Sequence, residues 1–226
     1  FRMVAFCFSI TSVSIIISVF LSRFLHPSDI RGEFIQASYR SSAAILGIAI
    51  IQNLYGNAGM APLMIIASVP LYNVMAVVIL SIFKPGQGKL NDVVLKRTLK
   101  GIITNPIILG IAAGTLWSLL RLPFPKILDS TVGNLAKTAT PLGLMAMGGS
   151  LRFGKAFSRL KASVACTFMK LVGYEALFLP LAIRCGFTQD KLVSIIIMLG
   201  SASTVTCFVM AKNMDHEGSF SSGVVL

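Results

Sequence analysis

Acidic side chains are nearly missing from this chain: eight Asp and Glu stand among 226 residues, against twenty Lys and Arg. Charged residues of both signs amount to 12%, where soluble domains carry about 25%. Cysteine is scarce as well. Cys7, Cys166, Cys185 and Cys207 are scattered, form no C-x-x-C pair, and three of them sit inside apolar runs as small packing residues. No His, Cys and carboxylate cluster has metal-site spacing, no phosphate loop occurs, and no nucleophile stands beside an evident base. His26 and His216 both fall in polar turns. An enzyme and an ATP-driven pump are therefore excluded as expectations, and no cofactor is expected. Phe1 to Phe24 is expected to be a span and not a secretory leader, being long enough to cross and lacking a basic n-region and a small-residue cleavage site.

What fills the chain is hydrocarbon. Hydrophobic residues make up 55% and the mean hydropathy is +0.82, the composition of an integral membrane protein. A spanning helix needs about 20 apolar residues. On that measure the spans run Met3 to Phe24, Phe34 to Leu54, Met60 to Phe83, Ile102 to Leu120, Val132 to Leu151, Phe157 to Ile183 and Leu192 to Met214, and another begins near Phe220.

The net charge of +12 sits almost wholly between these spans, without interleaved aromatics, so it fixes topology and is not a nucleic-acid surface. The odd-numbered gaps hold Arg23, Arg31 and Arg40, then Lys84, Lys89, Lys96, Arg97 and Lys100, then Arg152, Lys155, Arg159 and Lys161. The even-numbered gaps hold only Arg121, Lys126, Arg184 and Lys191. The odd gaps are thus expected in the cytoplasm, with Phe1 outside. In the third gap, Lys84-Pro85-Gly86-Gln87-Gly88-Lys89 cannot continue a helix and reads as a hinge. Asn91 to Lys100 suits a short helix on the cytoplasmic surface.

Two spans are interrupted where they should be continuous. Arg40-Ser41-Ser42-Ala43-Ala44-Ile45-Leu46-Gly47 places charge, hydroxyls and glycine at mid-membrane depth, and Gly200-Ser201-Ala202-Ser203-Thr204-Val205-Thr206 does the same in the seventh span. Hydrocarbon excludes loose backbone unless it is buried in protein or lines a wet cavity, so such breaks point to a transport site. Sliding the chain by about 160 positions lays Ser41 on Ser201, Ala44 on Thr204, Gly47 on Cys207 and Asn53 on Asn213. By the gap charges the two spans run in opposite directions, which predicts inverted repeats.

Other polar residues at depth are candidates beside the breaks. Thr104-Asn105-Pro106 reads as a cap followed by a first-turn proline, and Gly110 with Gly114 suits close helix packing. Thr138-Ala139-Thr140-Pro141 predicts a kink with exposed polar backbone. Lys170 and Glu175 lie well inside the sixth span, where ionisable groups are rare and functional by default. Lys170 could attract an anion or hold a partner carbonyl. The shortage of intramembrane carboxylates disfavours a dedicated proton relay.

With those residues in view, the chain resembles the auxin efflux carrier family, particularly its bacterial branch of malate or malonate permeases. The matching stretches are Gly32-Glu33-Phe34-Ile35-Gln36-Ala37-Ser38-Tyr39-Arg40-Ser41-Ser42 through Asn53-Leu54-Tyr55-Gly56, then Asn105-Pro106-Ile107-Ile108-Leu109-Gly110. Ala139-Thr140-Pro141-Leu142-Gly143-Leu144-Met145 through Gly148-Gly149-Ser150-Leu151 and Phe208-Val209-Met210-Ala211-Lys212 complete them. The resemblance implies the design of the bile-acid and arsenite carriers, with ten helices in two inverted five-helix repeats and crossed broken helices at the site. Against that plan the chain is expected to be an all-α polytopic fragment covering helices three to nine and the start of ten. Residues 1–83 would close the first repeat with three helices, 84–100 would be the cytoplasmic linker, and 101–226 the second repeat, truncated in its last helix. Family members commonly carry Asn where this chain has Ser42, and Pro where it has Ser203. Ser42 keeps hydrogen-bonding capacity with a shorter reach, and Ser203 predicts a less sharply unwound second crossover.

The expected function is a secondary-active carrier of the plasma membrane, multi-pass, for small organic anions such as dicarboxylates or auxin-like acids. The expected site comprises Ser41, Ser42, Gly47, Asn105, Thr140, Lys170, Ser201, Ser203 and Thr204. The lipid bilayer and the anion are the expected partners, H⁺ or Na⁺ the candidate coupling ion, and a homodimer the assembly to test; nucleic acid is not a partner. The rivals are an ion channel, which would show a polar stripe through several spans, and a non-transporting membrane scaffold.

Overall fold

The computed structural model describes residues 1–26, 28–85, 96, 99–101, 103–104, 106–121, 123, 125–151, 154 and 158–225, without the side chains of Ile45 and Ile107. Every regular element among the described residues is helical. In chain order these are α1 (Arg2–Ser22), a 3₁₀ turn (Ser28–Ile30), α2 (Arg31–Tyr39), a π-helical turn (Ala43–Gly47), α3 (Ile48–Tyr55) and α4 (Ala61–Ile82). There follow α5 (Pro106–Leu119), α6 (Lys126–Ser150), α7 (Leu160–Arg184, with a π-helical turn at Met169–Gly173), α8 (Gln189–Gly200), α9 (Thr206–Asn213) and α10 (Ser219–Val225). Asn105 and most of the linker at 84–100 lie outside the described residues, so the hinge and surface helix expected there are not described.

Among the described residues three helices, α1, α4 and α7, are long and apolar enough to cross a membrane. The two interrupted spans each resolve into a pair of half-helices, α2 with α3 and α8 with α9. α6 runs without interruption through Pro141, because a proline removes one intrahelical donor but leaves the neighbouring ladder intact. The residues at which a kink was expected, Thr138 to Pro141, thus lie within one continuous helix.

The broken spans are enclosed by the continuous ones. Cys7 and Ile10 of α1, Met64 of α4, Tyr174 and Phe178 of α7, and Ile195 and Met198 of α8 form one buried apolar cluster that also takes in Ala43 of the first break. Ile35 and Tyr39 of α2 pack with Ile15 of α1 and with Tyr72 and Ile79 of α4. Polar groups join the helices where they would otherwise face hydrocarbon. The Tyr174 hydroxyl lies 2.6 Å from Ser18 Oγ and donates to the Ser14 carbonyl at 3.0 Å, tying α7 to α1. By contrast α6 buries a single residue, Met147, and stands at the side of this bundle against α9 and α10.

The loops sort to two ends. At one end Arg159 pairs with Asp29 at 2.8 Å and Glu217 at 3.0 Å, and Lys84 with Asp215 at 2.6 Å. These residues come from the first, third and fifth gaps and from the turn after α9. At the other end Phe1, Met60, Cys185, Phe187 and Lys191 border one surface hollow, and Gly59 lies beside Asp190. The odd gaps thus share a face, as the distribution of Lys and Arg predicts. Arg40 does not belong in that count: it is buried between helices, only 3% exposed. Removing it leaves the charge asymmetry standing.

Among the four thiols only that of Cys185 is exposed. A membrane-impermeant maleimide is expected to label Cys185 from outside intact cells and to spare Cys7, Cys166 and Cys207. Labelling that requires permeabilised membranes would reverse the orientation.

Candidate functional site

The chain breaks where short polar side chains offer the backbone alternative partners. α2 ends at Tyr39 and Arg40 turns extended, with Ser41 and Ser42 leading into the π turn. α8 ends at Gly200, Ser201 is extended, and helix resumes at Thr206. The two breaks meet. The Ser42 amide donates to the Ala202 carbonyl at 3.0 Å, Ser203 Oγ donates to the Ala37 carbonyl at 2.6 Å, and Gln36 Nε2 donates to the Cys207 carbonyl at 2.8 Å. Further along, a Cβ on Gly47 would lie 2.8 Å from Ile197 Cγ2, closer than side chains tolerate. As residue numbers rise along the first segment, their partners' numbers fall along the second. The segments therefore run antiparallel and cross at Ser42 and Ala202.

The second break is the longer one: five residues, Ser201 to Val205, separate its half-helices, whereas three, Arg40 to Ser42, precede the π turn of the first. The second segment is thus interrupted although serine, and no proline, stands at 203. Lateral partners hold this break open: the Ala202 carbonyl and Ser203 hydroxyl both bond to the first segment, and no missing proline donor is required.

A cavity of about 400 Å³ opens between the crossing and α6. Ser42, Ser203, Thr204 and Thr206 line it from the breaks and Thr140 from α6, with Leu46, Leu144 and Val209 among its apolar walls. α6 approaches through Gly143, where a Cβ would meet Val205 Cγ1 at 2.9 Å. Thr204 and Thr206 hydroxyls lie 3.1 Å apart at the start of α9, whose N-terminal end carries partial positive charge. Of the nine residues expected at the site, Ser42, Ser203, Thr204 and Thr140 thus share one cavity.

The others lie elsewhere. Ser41 is buried behind the crossing, and its hydroxyl has no hydrogen-bond partner among the described residues. Ser201 turns its hydroxyl back to the Ile197 carbonyl, and Gly47 serves close packing. Lys170 is 2% exposed in the π turn of α7, outside the cavity wall. Asn105 lies outside the described residues.

Three residues not counted among the candidates organise the site. Glu33, Gln36 and Arg40 recur at the i, i+3, i+7 spacing of one helical face, a polar stripe in an otherwise apolar span. Glu33 accepts hydrogen bonds from the amides of Gly218 and Ser221, both at 2.8 Å, and from Ser221 Oγ at 2.9 Å. Its carboxylate thereby seats the start of α10 on α2. Gly218 has φ +72°, and a Cβ there would also lie 3.1 Å from Phe208, so only glycine serves this turn. The Arg40 guanidinium donates to Asn73 Oδ1 at 2.8 Å and contacts Met210 Sδ at 2.6 Å. Among the described residues no carboxylate pairs with Arg40 or Lys170. The interior beside the crossing therefore carries two cations without buried anionic partners.

Two interrupted, antiparallel helices meeting at a polar cavity within an apolar bundle define a membrane transport fold. A family model described as membrane transport protein matches residues 1–226, and the chain belongs to that family. It is the auxin efflux carrier family to which the motifs around Arg40 and Pro141 pointed. A search of curated proteins finds no match.

Because Gly47 and Ile197 touch, Gly47→Val is expected to destabilise the protein by about 1–3 kcal/mol through overpacking. Adding Ile197→Ala should recover at least about 0.5 kcal/mol relative to the sum of the single effects. Unfolding of the four proteins in detergent measures this, and strict additivity would mean that the segments do not touch.

Proposed function

We propose that this membrane transport protein is a secondary carrier for small organic anions, multi-pass in the plasma membrane, that binds its substrate in the cavity between the crossing and α6. The observation that carries the reading is the convergence of Ser42, Ser203, Thr204 and Thr140 on one space of about 400 Å³. Hydroxyls from two broken segments and one separate helix can wrap a carboxylate, and removing an intact span from that wall would open it to one side.

Anion selectivity follows from the surroundings. Arg40 and Lys170 are buried without carboxylate partners among the described residues, and the positive end of α9 borders the cavity. Glu33, the buried carboxylate of this region, is fully engaged with the amides that start α10. Dicarboxylates and auxin-like acids, the substrates suggested by resemblance to the malate and malonate permease branch, are small enough and carry the required charge. A channel fits less well, since polarity gathers at the two breaks and the remainder of the cavity wall is apolar. The antiparallel course of the two breaks supports alternating access through the same pair of segments.

Thr204→Val and Thr140→Val remove hydroxyls while keeping shape. Each lost hydrogen bond to a charged group is worth about 1.5–3 kcal/mol, or roughly one to two decades in affinity. Uptake of labelled malonate or an auxin-like acid into proteoliposomes is expected to fall at least about tenfold in each variant, with the melting temperature unchanged. Undiminished uptake in both would remove the cavity as the substrate site.

A further inference from the structure

Each break leaves a helix C-terminus inside the bundle, one after Tyr39 and one after Gly200. Such an end carries partial negative charge on carbonyls without helical partners. At the first, the chain supplies its own cation: the next residue is Arg40, buried and held by Asn73. At the second, the corresponding residue is Ser201, whose hydroxyl folds back on Ile197. The amide of Ser201 also goes to Ile197, and among the described residues the carbonyls of Met198, Leu199 and Gly200 receive no bond from the residues that follow.

A carboxylate lies against this uncompensated end. Glu175 of α7 approaches Gly200 so closely that a Cβ there would stand 2.5 Å from Glu175 Oε1. No ion pair among the described residues engages Glu175. On its own helix Lys170 is enclosed in the π turn, and Tyr174 is committed to Ser18 and Ser14. On α8 the charged residues, Asp190 and Lys191, sit in the opposite, first turn, and α1 offers the buried thiol of Cys7. A carboxylate facing a helix C-terminus is repulsive unless something positive intervenes.

We propose that Glu175 and the C-terminal carbonyls of α8 form a binding site for a monovalent cation, a proton or Na⁺. The cation does at the second break what Arg40 does permanently at the first. Carboxylate and carbonyl oxygens form the donor set that half-helix C-termini present to Na⁺ or H⁺ in transporters. One break thus has a fixed positive charge and the other an exchangeable one, beside a cavity read above as an anion site. Coupling of the cation to flux rests on that reading; cation binding itself does not.

The test is thermal unfolding of the purified full chain in detergent, with Na⁺ replacing choline at fixed pH in one arm and pH lowered in choline in the other. Ligand binding to the folded state raises its stability, here a rise in melting temperature of at least about 2 °C in the arm that supplies the true ligand. The rise is expected to vanish in Glu175→Gln and to persist in Glu175→Asp at higher cation concentration. Should Glu175→Gln fail to fold, Gly200→Ala, which pushes the carboxylate away from the helix end, is expected to lose the rise instead. An unresponsive wild type, or a rise of equal size in the folded variant, overturns the proposal. Loss of anion uptake in Thr204→Val with the cation response intact would leave this site in place while locating the substrate site.

Discussion

Backbone inside a bilayer has no water to turn to, and each unsatisfied amide or carbonyl costs several kcal/mol. This chain meets the requirement by making one irregular segment the partner of the other. The Ser42 amide and the Ala202 carbonyl bond across the crossing, while Ser203 and Gln36 reach the Ala37 and Cys207 carbonyls from either side. Neither break is self-sufficient. The close seating that permits these bonds depends in turn on Gly47 against Ile197 and Gly143 against Val205. Packing, polar satisfaction and the cavity between the crossing and α6 are thus consequences of a single pairing.

Charge is distributed by the same logic. Glu33 and Arg40 stand two helical turns apart on one face of α2, yet they do different work. The carboxylate seats the first turn of α10, where helix amides favour a negative group, and the guanidinium occupies the end of α2, where carbonyls favour a positive one. The large exposed side chains of α1, such as Phe8, Ile16 and Phe20, make an apolar exterior suited to lipid. The polar groups of the breaks are thus enclosed by an apolar core and an apolar exterior.

The spans and both interruptions were legible because they rest on composition: apolar runs give length, and clustered hydroxyls with glycine mark the breaks. The sorting of the loops to two ends was legible because Lys and Arg gather in the odd-numbered gaps. What could not be read was lateral. Ser203 gives no sign in the sequence of how the second break is held, because its hydroxyl is engaged by the Ala37 carbonyl of the first segment. Lys170 was expected with the serines, and the structure puts it behind the cavity, since its place depends on how α7 rotates against its neighbours. Glu33, Gln36 and Arg40 formed a periodic polar face in plain view. Its signal was obscured by counting Arg40 among loop charges.

One guanidinium, that of Arg159, holds Asp29 from before α2 and Glu217 from after α9. One end of each broken span is therefore fastened to the start of α7 at a common corner. By contrast the border of this block with α6, which contributes only Met147 to the buried interior, is lightly packed. In the carrier proposed above, the crossing would serve as the rigid jaw and the seam along Gly143 and Thr140 as the sliding surface.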